Sequence, residues 1–320
     1  MSAPGWGRER DALPGYSTGI LGLSADAFLL LRDLVLERTG LYFDDARRDL
    51  FADKLAELVV ERGLGSFLDY YYLLRYDADA ERHWLELRDR LAVPETYFWR
   101  QPEQIDALVR HVVPAHFAGR NAAPLRIWSA ACCTGEEPLS IALALAEEGW
   151  LARAPIEIVA SDGSPGLVER ARRGVFRERA FRALPEPLRR RWFEPCDGGW
   201  RVDPELLGRV QWRTANLVDE AEVAPLANSP VIFCRNVFIY FSDDAVRRVT
   251  GLFYERMPAP GHLFLGASES LARLGTPFEL REVGSAFTYV KDAPAPTPAR
   301  ALHPEHGAWR PEAALPQDSR

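Results

Sequence analysis

The sequence lacks the features of a membrane-spanning, secreted or metal-binding protein. No window approaches the roughly 20 uncharged apolar residues that cross a bilayer, and the polar beginning has no signal-peptide core. The 4 cysteines form no C-x-x-C pair, and the 6 histidines show no ligand spacing with nearby carboxylates. We therefore expect a cytoplasmic protein with reduced thiols and no bound metal.

A strongly basic composition is also absent. The 320 residues carry a formal net charge of −7, which disfavours a sequence-independent grip on nucleic acid or an anionic membrane. We expect no nucleic-acid partner, no membrane insertion and a monomeric chain. Since 47% of the residues are hydrophobic, the chain can bury the core of one large domain or two modest ones.

Two biased ends enclose a helical segment. Residues 1–19 contain Gly, Pro and Arg with little periodicity, and residues 292–320 are rich in Pro and Ala, so both are predicted to be disordered. Residues 20–92 have apolar side chains at helical spacing after Ser24, a residue type typical of a helix N-cap. The pattern predicts an all-helical domain of three or four helices.

A linker and a longer helix follow this domain within residues 93–123. The helix is expected at about Pro102–Phe117, with apolar residues on one face and Pro114 tolerated only as a late kink. It would bridge the helical domain to the rest of the chain.

From residue 124 to residue 291, short apolar strands alternate with helices. This alternation is typical of right-handed βαβ units and a parallel sheet. Trp192–Val202, with two glycines at its centre, interrupts the pattern and predicts a hairpin, so we assign a small antiparallel β insertion to about residues 190–213. The predicted fold class is α/β, a Rossmann-like domain with a β insertion, preceded by an all-helical domain.

A turn of small residues, Ser129–Pro138, follows the first predicted strand. It contains only Gly135 and so lacks the dinucleotide pattern G-x-G-x-x-G, and a phosphate would be repelled by Glu136 and Glu137. Two carboxylates here suit a cationic ligand without phosphate. The alternative is a carboxylate pair that only complements the helix dipole.

Asp162 stands at the end of the second predicted strand. A carboxylate at this place in the fold class can accept hydrogen bonds from both hydroxyls of a ribose. A purely structural N-cap role is less favoured because Ser164 lies closer to the following helix. Together with the acidic turn, Asp162 indicates a nucleoside without pyrophosphate, and S-adenosylmethionine meets both conditions.

Two other segments carry polar groups at positions where chemistry is expected. Arg235 and Asn236 break the buried strand pattern of residues 231–241, and parallel sheets place ligand sites at such breaks. Val93–Arg100 joins the domains, and its aromatic residues are consistent with plain packing. If the methyl acceptor is a carboxylate, it needs a group that fixes and desolvates it, and the guanidinium of Arg100 is suited to that.

Six motifs resemble, in the same order, those of the CheR-type chemotaxis receptor methyltransferases, over about residues 20–291. They are the segments at 95–100, 129–138, 160–162, 215–217, 234–241 and 263–270. The resemblance implies methylation of glutamate side chains on the cytoplasmic domain of chemoreceptors, with S-adenosylmethionine as donor and S-adenosylhomocysteine as product. Residues 20–92 would be the receptor-docking domain.

The resemblance also implies roles for individual residues. Arg100 and Tyr240 would be catalytic, Arg100 by positioning the acceptor and Tyr240 by shaping the methyl pocket. The implied cofactor-binding residues are Thr96, Arg100, Glu137 at the methionine amino group, Asp162 at the ribose, Asn216 and Leu217 at the adenine, Arg235 and Asn236.

Some positions depart from the family pattern. Pro94 stands where relatives usually have Asn, residue 267 is Ala where His is frequent, and the helix that resembles the docking helix, at about Arg47–Arg62, mixes basic with acidic residues. The short loop at Pro195–Trp200 differs from that of relatives that dock on a receptor's C-terminal pentapeptide, so we predict pentapeptide-independent action. The alternatives are a non-catalytic module that senses S-adenosylmethionine or S-adenosylhomocysteine, and methylation of a small carboxylic acid.

Overall fold

The computed structural model describes residues 22–118 and 123–292. The segments predicted to be disordered, residues 1–19 and 292–320, lie outside this range apart from Asp292. Within the described ranges, no helix is both long and apolar enough to span a bilayer. Those ranges also bring together no cluster of three or more His, Cys, Asp or Glu side chains that could hold a metal ion.

The N-terminal part is a helical module with its own core. Its helices are α1 (Ala25–Thr39), α2 (Arg48–Glu61), α3 (Phe67–Tyr76) and α4 (Ala80–Leu91). Ser24 is the N-cap of α1, as predicted, because its Oγ accepts the N–H of Ala27 at 3.2 Å. The buried side chains that hold the module together include Phe28, Leu31, Phe51, Leu55, Tyr70 and Leu87.

The bridging helix contains a π-helical turn just before its proline. It comprises α5 (Pro102–Ala107), the π turn Leu108–Val112 and α6 (Val113–Ala118). Pro114 has no N–H to donate, and its ring would clash with the carbonyl of Arg110 in a regular helix. The wider π turn accommodates the proline there without ending the helix.

Short strands and helices alternate through the remainder of the chain. The strands are β1 (Leu125–Ala130), β2 (Ile156–Asp162), β3 (Val175–Phe176), β4 (Phe193–Cys196), β5 (Gly199–Val202), β6 (Val210–Thr214), β7 (Val231–Phe233), β8 (Gly261–Phe264), β9 (Glu279–Val283) and β10 (Ala286–Lys291). The helices are α7 (Glu136–Glu147), α8 (Trp150–Arg153), α9 (Pro165–Arg173), α10 (Glu186–Trp192), α11 (Pro204–Gly208), α12 (Glu220–Ala227) and α13 (Asp243–Arg256).

A seven-stranded sheet in the order β6-β2-β1-β7-β8-β10-β9 forms the centre of this domain. The strands from β6 to β8 are parallel, and β10 runs antiparallel to both of its neighbours. Ile127 packs in the core on one face of β1 and Trp128 in the core on the other, so the strand buries apolar side chains on both faces. The predicted α/β, Rossmann-like domain after an all-helical domain is confirmed.

The small β insertion is present, but its predicted range of 190–213 is wrong at both ends. Its sheet has the order β3-β5-β4 and so begins at Val175. At the other end, β6 pairs in parallel with β2 from Val210 to Thr214 and belongs to the large sheet. The error arises because β6 is an edge strand whose polar, exposed residues do not resemble a buried parallel strand.

Candidate active site

A pocket of about 510 Å³ lies where the helical module meets the carboxyl ends of β1, β2 and β7. β1 pairs with β2 on one side and with β7 on the other, which is the point where a doubly wound sheet binds its ligand. The sequence-predicted site residues all line this pocket, namely Thr96, Arg100, Glu137, Asp162, Asn216, Leu217, Arg235, Asn236 and Tyr240.

Backbone strain is concentrated around the pocket. The non-glycine residues with positive φ in the described ranges are Trp99, Gln101, Ala131, Cys133 and Asn236. The last three line the pocket, and the first two flank Arg100. Such conformations persist only where the surrounding structure enforces them, and they are frequent at functional sites. The strained backbone therefore lies at the same pocket as the predicted site residues.

Asp162 links the acidic turn to the end of β2. Its Oδ2 accepts the N–H of Cys133 at 2.8 Å and its Oδ1 accepts the N–H of Ser164 at 2.9 Å. Burial raises the pKa of this carboxyl, and the two backbone N–H groups oppose that shift. Ser164, rather than Asp162, caps α9 by accepting the N–H of Leu167, so each carboxylate oxygen keeps acceptor capacity for a ligand.

Glu137 and Arg235 form a buried ion pair on the pocket wall. Glu137 Oε2 accepts from Arg235 Nε at 2.7 Å, and Oε1 accepts from Ser129 Oγ at 2.7 Å. Arg235 also donates to Gln104 Oε1 at 3.0 Å and to the carbonyl of Arg100 at 2.9 Å. Because its side chain is only 2% exposed and makes all these bonds, Arg235 fixes Glu137 and the backbone of Arg100.

The expectation that both glutamates of the acidic turn face a ligand is wrong for Glu136. Its carboxylate accepts from Thr134 Oγ1 at 2.7 Å, and the side chain is buried away from the pocket. Burial raises the pKa of this carboxyl. Consecutive residues at the start of a helix point in different directions, so only Glu137 reaches the pocket.

Arg100 and Tyr240 lie together on the pocket wall. The Arg100 guanidinium lies 5.3 Å from the ring centre of Tyr97, and no carboxylate of the described residues forms an ion pair with it. Burial raises the pKa of the Tyr240 hydroxyl, and the charge of Arg100 opposes the shift, so the phenol stays neutral near pH 7. Arg100 can therefore receive a carboxylate beside a neutral hydroxyl.

The helical module builds one wall of the site directly. The N–H of Tyr42 donates to the carbonyl of Tyr240 at 2.9 Å, and the N–H of Ser242 donates to the carbonyl of Gly40 at 3.3 Å. Asn216 Nδ2 donates to the carbonyl of Arg38 at 2.7 Å, at the end of α1. The Asn216 side chain thus joins the two domains, while the neighbouring Leu217 is a buried apolar part of the pocket.

The helix that resembles the docking helix uses most of its basic residues internally. Lys54 Nζ donates to the carbonyl of Arg90 at 3.0 Å, Arg48 bonds the carbonyl of Leu23, and Arg62 donates to the carbonyl of Leu58 at 3.1 Å. Arg47 lines the pocket with its side chain 48% exposed. Sequence reasoning could not detect these internal bonds because they depend on how the helices pack.

Three further residues of the site have no role in the sequence-based assignment. Gln104 fixes Arg235, Cys133 donates its N–H to Asp162, and Glu269 accepts backbone N–H groups of the β7 loop. Glu269 lies inside a recognised motif, at 263–270, but two of its partners, Asn236 and Phe238, are 33 and 31 residues away in sequence. Only the fold reveals them.

The pocket fits S-adenosylmethionine by its chemistry. It offers two carboxylates, Asp162 and Glu137, that can accept from hydroxyl and ammonium groups, and Asn236 Oδ1 is a buried acceptor with no partner among the described residues. Gly135 packs so closely against Trp212 that a Cβ at this position would lie only 2.8 Å from the indole. The turn therefore lacks the open space in which a phosphate-binding loop holds its ligand. Fold and pocket together define an S-adenosylmethionine-binding α/β protein.

Comparison with known protein families agrees with this class of protein. The pattern of the SAM-binding domain of CheR methyltransferase matches residues 94–287, and that of the all-alpha domain of CheR methyltransferase matches residues 26–92. The chain therefore belongs to the CheR methyltransferase family, and the predicted cofactor, S-adenosylmethionine, is confirmed.

Individual relatives cover most of the chain. Chemotaxis protein methyltransferase 2 of Vibrio cholerae is 34% identical over 267 residues, which is 82% of this chain and 92% of the relative. The chemotaxis protein methyltransferase of Escherichia coli is 32% identical over 265 residues, 82% of this chain and 90% of the relative. Among solved structures, magnesium protoporphyrin IX methyltransferase from Synechocystis with bound SAM is 14% identical, covers 68% of this chain and 91% of its own, and has a TM-score of 0.30.

Proposed function

We propose that this chain is an enzyme that transfers a methyl group from S-adenosylmethionine to glutamate side chains on the cytoplasmic domain of a chemoreceptor. The product is a glutamate methyl ester, and the reaction belongs to a chemotaxis or chemosensory pathway in the cytoplasm. One observation carries the proposal: Arg100, which forms no ion pair with a carboxylate of the described residues, shares one pocket with Asp162 and Glu137. The chemotaxis methyltransferases of Vibrio cholerae and Escherichia coli, as relatives, support the choice of substrate.

On the cofactor side, each residue has a role that its surroundings support. Asp162 would accept the ribose hydroxyls, and Glu137, held by Arg235 and Ser129, would accept the amino group of the methionine part. Thr96, Asn216, Leu217 and Asn236 would complete the cofactor wall. In this assignment Arg235 acts by holding Glu137.

On the acceptor side, the protein has to fix and desolvate a carboxylate rather than remove a proton. Glutamate has a reference pKa near 4.3, so the acceptor is already ionised at neutral pH and needs no strong base. When bound, S-adenosylmethionine supplies an electrophilic methyl group. Arg100 would hold the carboxylate in line with it and the neutral Tyr240 would bound the methyl pocket, so that catalysis is mainly proximity and desolvation.

We infer that docking does not use a receptor's C-terminal pentapeptide. The connection between β4 and β5 consists of two residues, Asp197 and Gly198, and so forms a minimal hairpin turn. Truncation of the receptor's last residues should leave the methylation rate unchanged. A large loss of rate would contradict the inference.

The sensing module without turnover is less well supported. Two features suggested this alternative, namely Pro94 and the mixed charge of α2. Pro94 is exposed at the pocket rim, however, and Lys54 of α2 binds a carbonyl within the helical module. Arg100 and Tyr240, the residues assigned to catalysis, are both at the pocket.

Incubation with methyl-labelled cofactor and a receptor cytoplasmic fragment tests the proposal. The expected result is label on the receptor that mild base releases, as a methyl ester requires. The Escherichia coli relative with its own receptor serves as the positive control. Absence of base-labile label beside a working control, while calorimetry still detects cofactor binding, would favour the sensing module.

A further inference from the structure

Glu269 is a carboxylate that binds only backbone N–H groups of the site. Its Oε2 accepts from Asn236 and from Gly266, each at 2.7 Å, and its Oε1 accepts from Phe238 at 2.8 Å. No basic side chain of the described residues forms an ion pair with it. Each oxygen therefore holds the loop that follows β7, and Oε2 also holds Gly266, which follows β8.

That loop holds Asn236 in a strained conformation. Asn236 has φ +61°, lines the pocket and leaves its Oδ1 buried with no hydrogen-bond partner among residues 22–118 and 123–292. Beneath it, a Cβ on Gly266 would lie 2.6 Å from Asn236 Nδ2, so Gly266 is required for this approach. The same loop leads directly into the helical turn Phe238–Tyr240.

We propose that Glu269 is a positioning residue of the S-adenosylmethionine site, which acts by holding Asn236 in its left-handed conformation and aiming its side chain into the pocket. The proposal rests on the cofactor site of the proposed function. A carboxylate is suited to this task because it accepts all three N–H groups and donates none. A glutamine of the same shape offers one oxygen and one N–H₂ group, so at least one backbone N–H would face another donor.

The test is the dissociation constant of S-adenosylhomocysteine, measured by calorimetry on the full chain. Glu269→Gln should weaken binding about tenfold or more, because a buried N–H loses its charged acceptor. Glu282→Gln, an exposed carboxylate on β9, is the matched control and should bind like the wild type. If the wild type itself does not bind, the cofactor site of the proposed function fails, and with it the proposal.

A double-mutant cycle separates positioning from general stability. Glycine adopts φ +61° without strain, so in an Asn236→Gly background Glu269→Gln should cost less than about threefold in affinity. A residue that only stabilises the fold would cost the same in both backgrounds, which would overturn the proposal. Binding by Glu269→Gln within about twofold of the wild type would overturn it as well.

If Glu269→Gln fails to fold, Glu269→Asp is the variant that tests the proposal. It keeps the charge, but its carboxylate is one methylene shorter and cannot reach all three N–H groups. The proposal expects a loss of affinity above about threefold at a temperature well below the thermal midpoint of the variant, where the protein is folded. Unchanged affinity in this variant would overturn the proposal.

Discussion

Asp162→Ala should abolish most of the cofactor affinity, and the structure sets the magnitude. In the proposed binding mode, each ribose hydroxyl that donates to this charged acceptor would contribute about 1.5–3 kcal/mol. Two bonds at the lower value amount to about 3 kcal/mol, which raises the dissociation constant roughly 150-fold. Calorimetric titration with S-adenosylhomocysteine measures this directly, and a change below about threefold would refute the ribose assignment.

A control is required because Asp162 also accepts the N–H groups of Cys133 and Ser164. Asp203 also accepts two backbone N–H groups, as the N-cap of α11, where its Oδ1 accepts from Glu205 at 2.8 Å and from Leu206 at 3.1 Å, away from the pocket. Asp203→Ala should lower the thermal midpoint, since loss of an N-cap costs about 1 kcal/mol, and leave affinity intact. Equal loss of affinity in both variants would show that the effect is structural.

Three further outcomes follow from the same geometry. Arg100→Ala should nearly abolish methyl transfer in the labelling assay while calorimetry shows a largely intact cofactor affinity; a collapse of affinity would contradict the acceptor role. Gly40→Ala should destabilise the fold by about 1–3 kcal/mol and slow methyl transfer, because its Cβ would lie 2.8 Å from the Phe241 ring beside Tyr240. Gly63→Ala is the control: Gly63 also has a positive φ but lies in open space, so this substitution should lower the thermal midpoint less. Because burial raises the pKa of Asp162, cofactor affinity should fall as the pH is lowered through that raised pKa, and an affinity independent of pH would contradict this. Over the same pH range, the contribution of Asp162 to the stability of the free protein should rise, because the folded state holds the proton more tightly than the unfolded chain.

The sequence was sufficient to predict the parts of the site that depend on strand ends. Asp162 ends β2 and Arg235 follows β7, and these two parallel strands, which flank β1 in the sheet, deliver such residues to one edge. The motif at 95–100 could be placed beside them only through the family resemblance. Local pattern and topology together thus bring the predicted residues to one pocket.

The rest depends on tertiary contacts that no local pattern encodes. Glu269 binds N–H groups 33 and 31 residues before it, and Lys54 binds a carbonyl 36 residues after it. Glu136 and Glu137 are adjacent and chemically alike, yet only one faces the pocket, because the helix turns between them. The β6 edge strand was misassigned for a similar reason, since its burial is set by its neighbours.

The identity of the methylated atom tests the central claim most directly. Tandem mass spectrometry of a receptor cytoplasmic fragment, after incubation with the enzyme and S-adenosylmethionine, reports which side chain gains the methyl group. The proposed mechanism predicts a methyl ester on glutamate that mild base removes and that Arg100→Ala fails to form. A base-stable methyl group on a nitrogen or sulfur atom would contradict it, as would an Arg100→Ala variant that methylates as fast as the wild type.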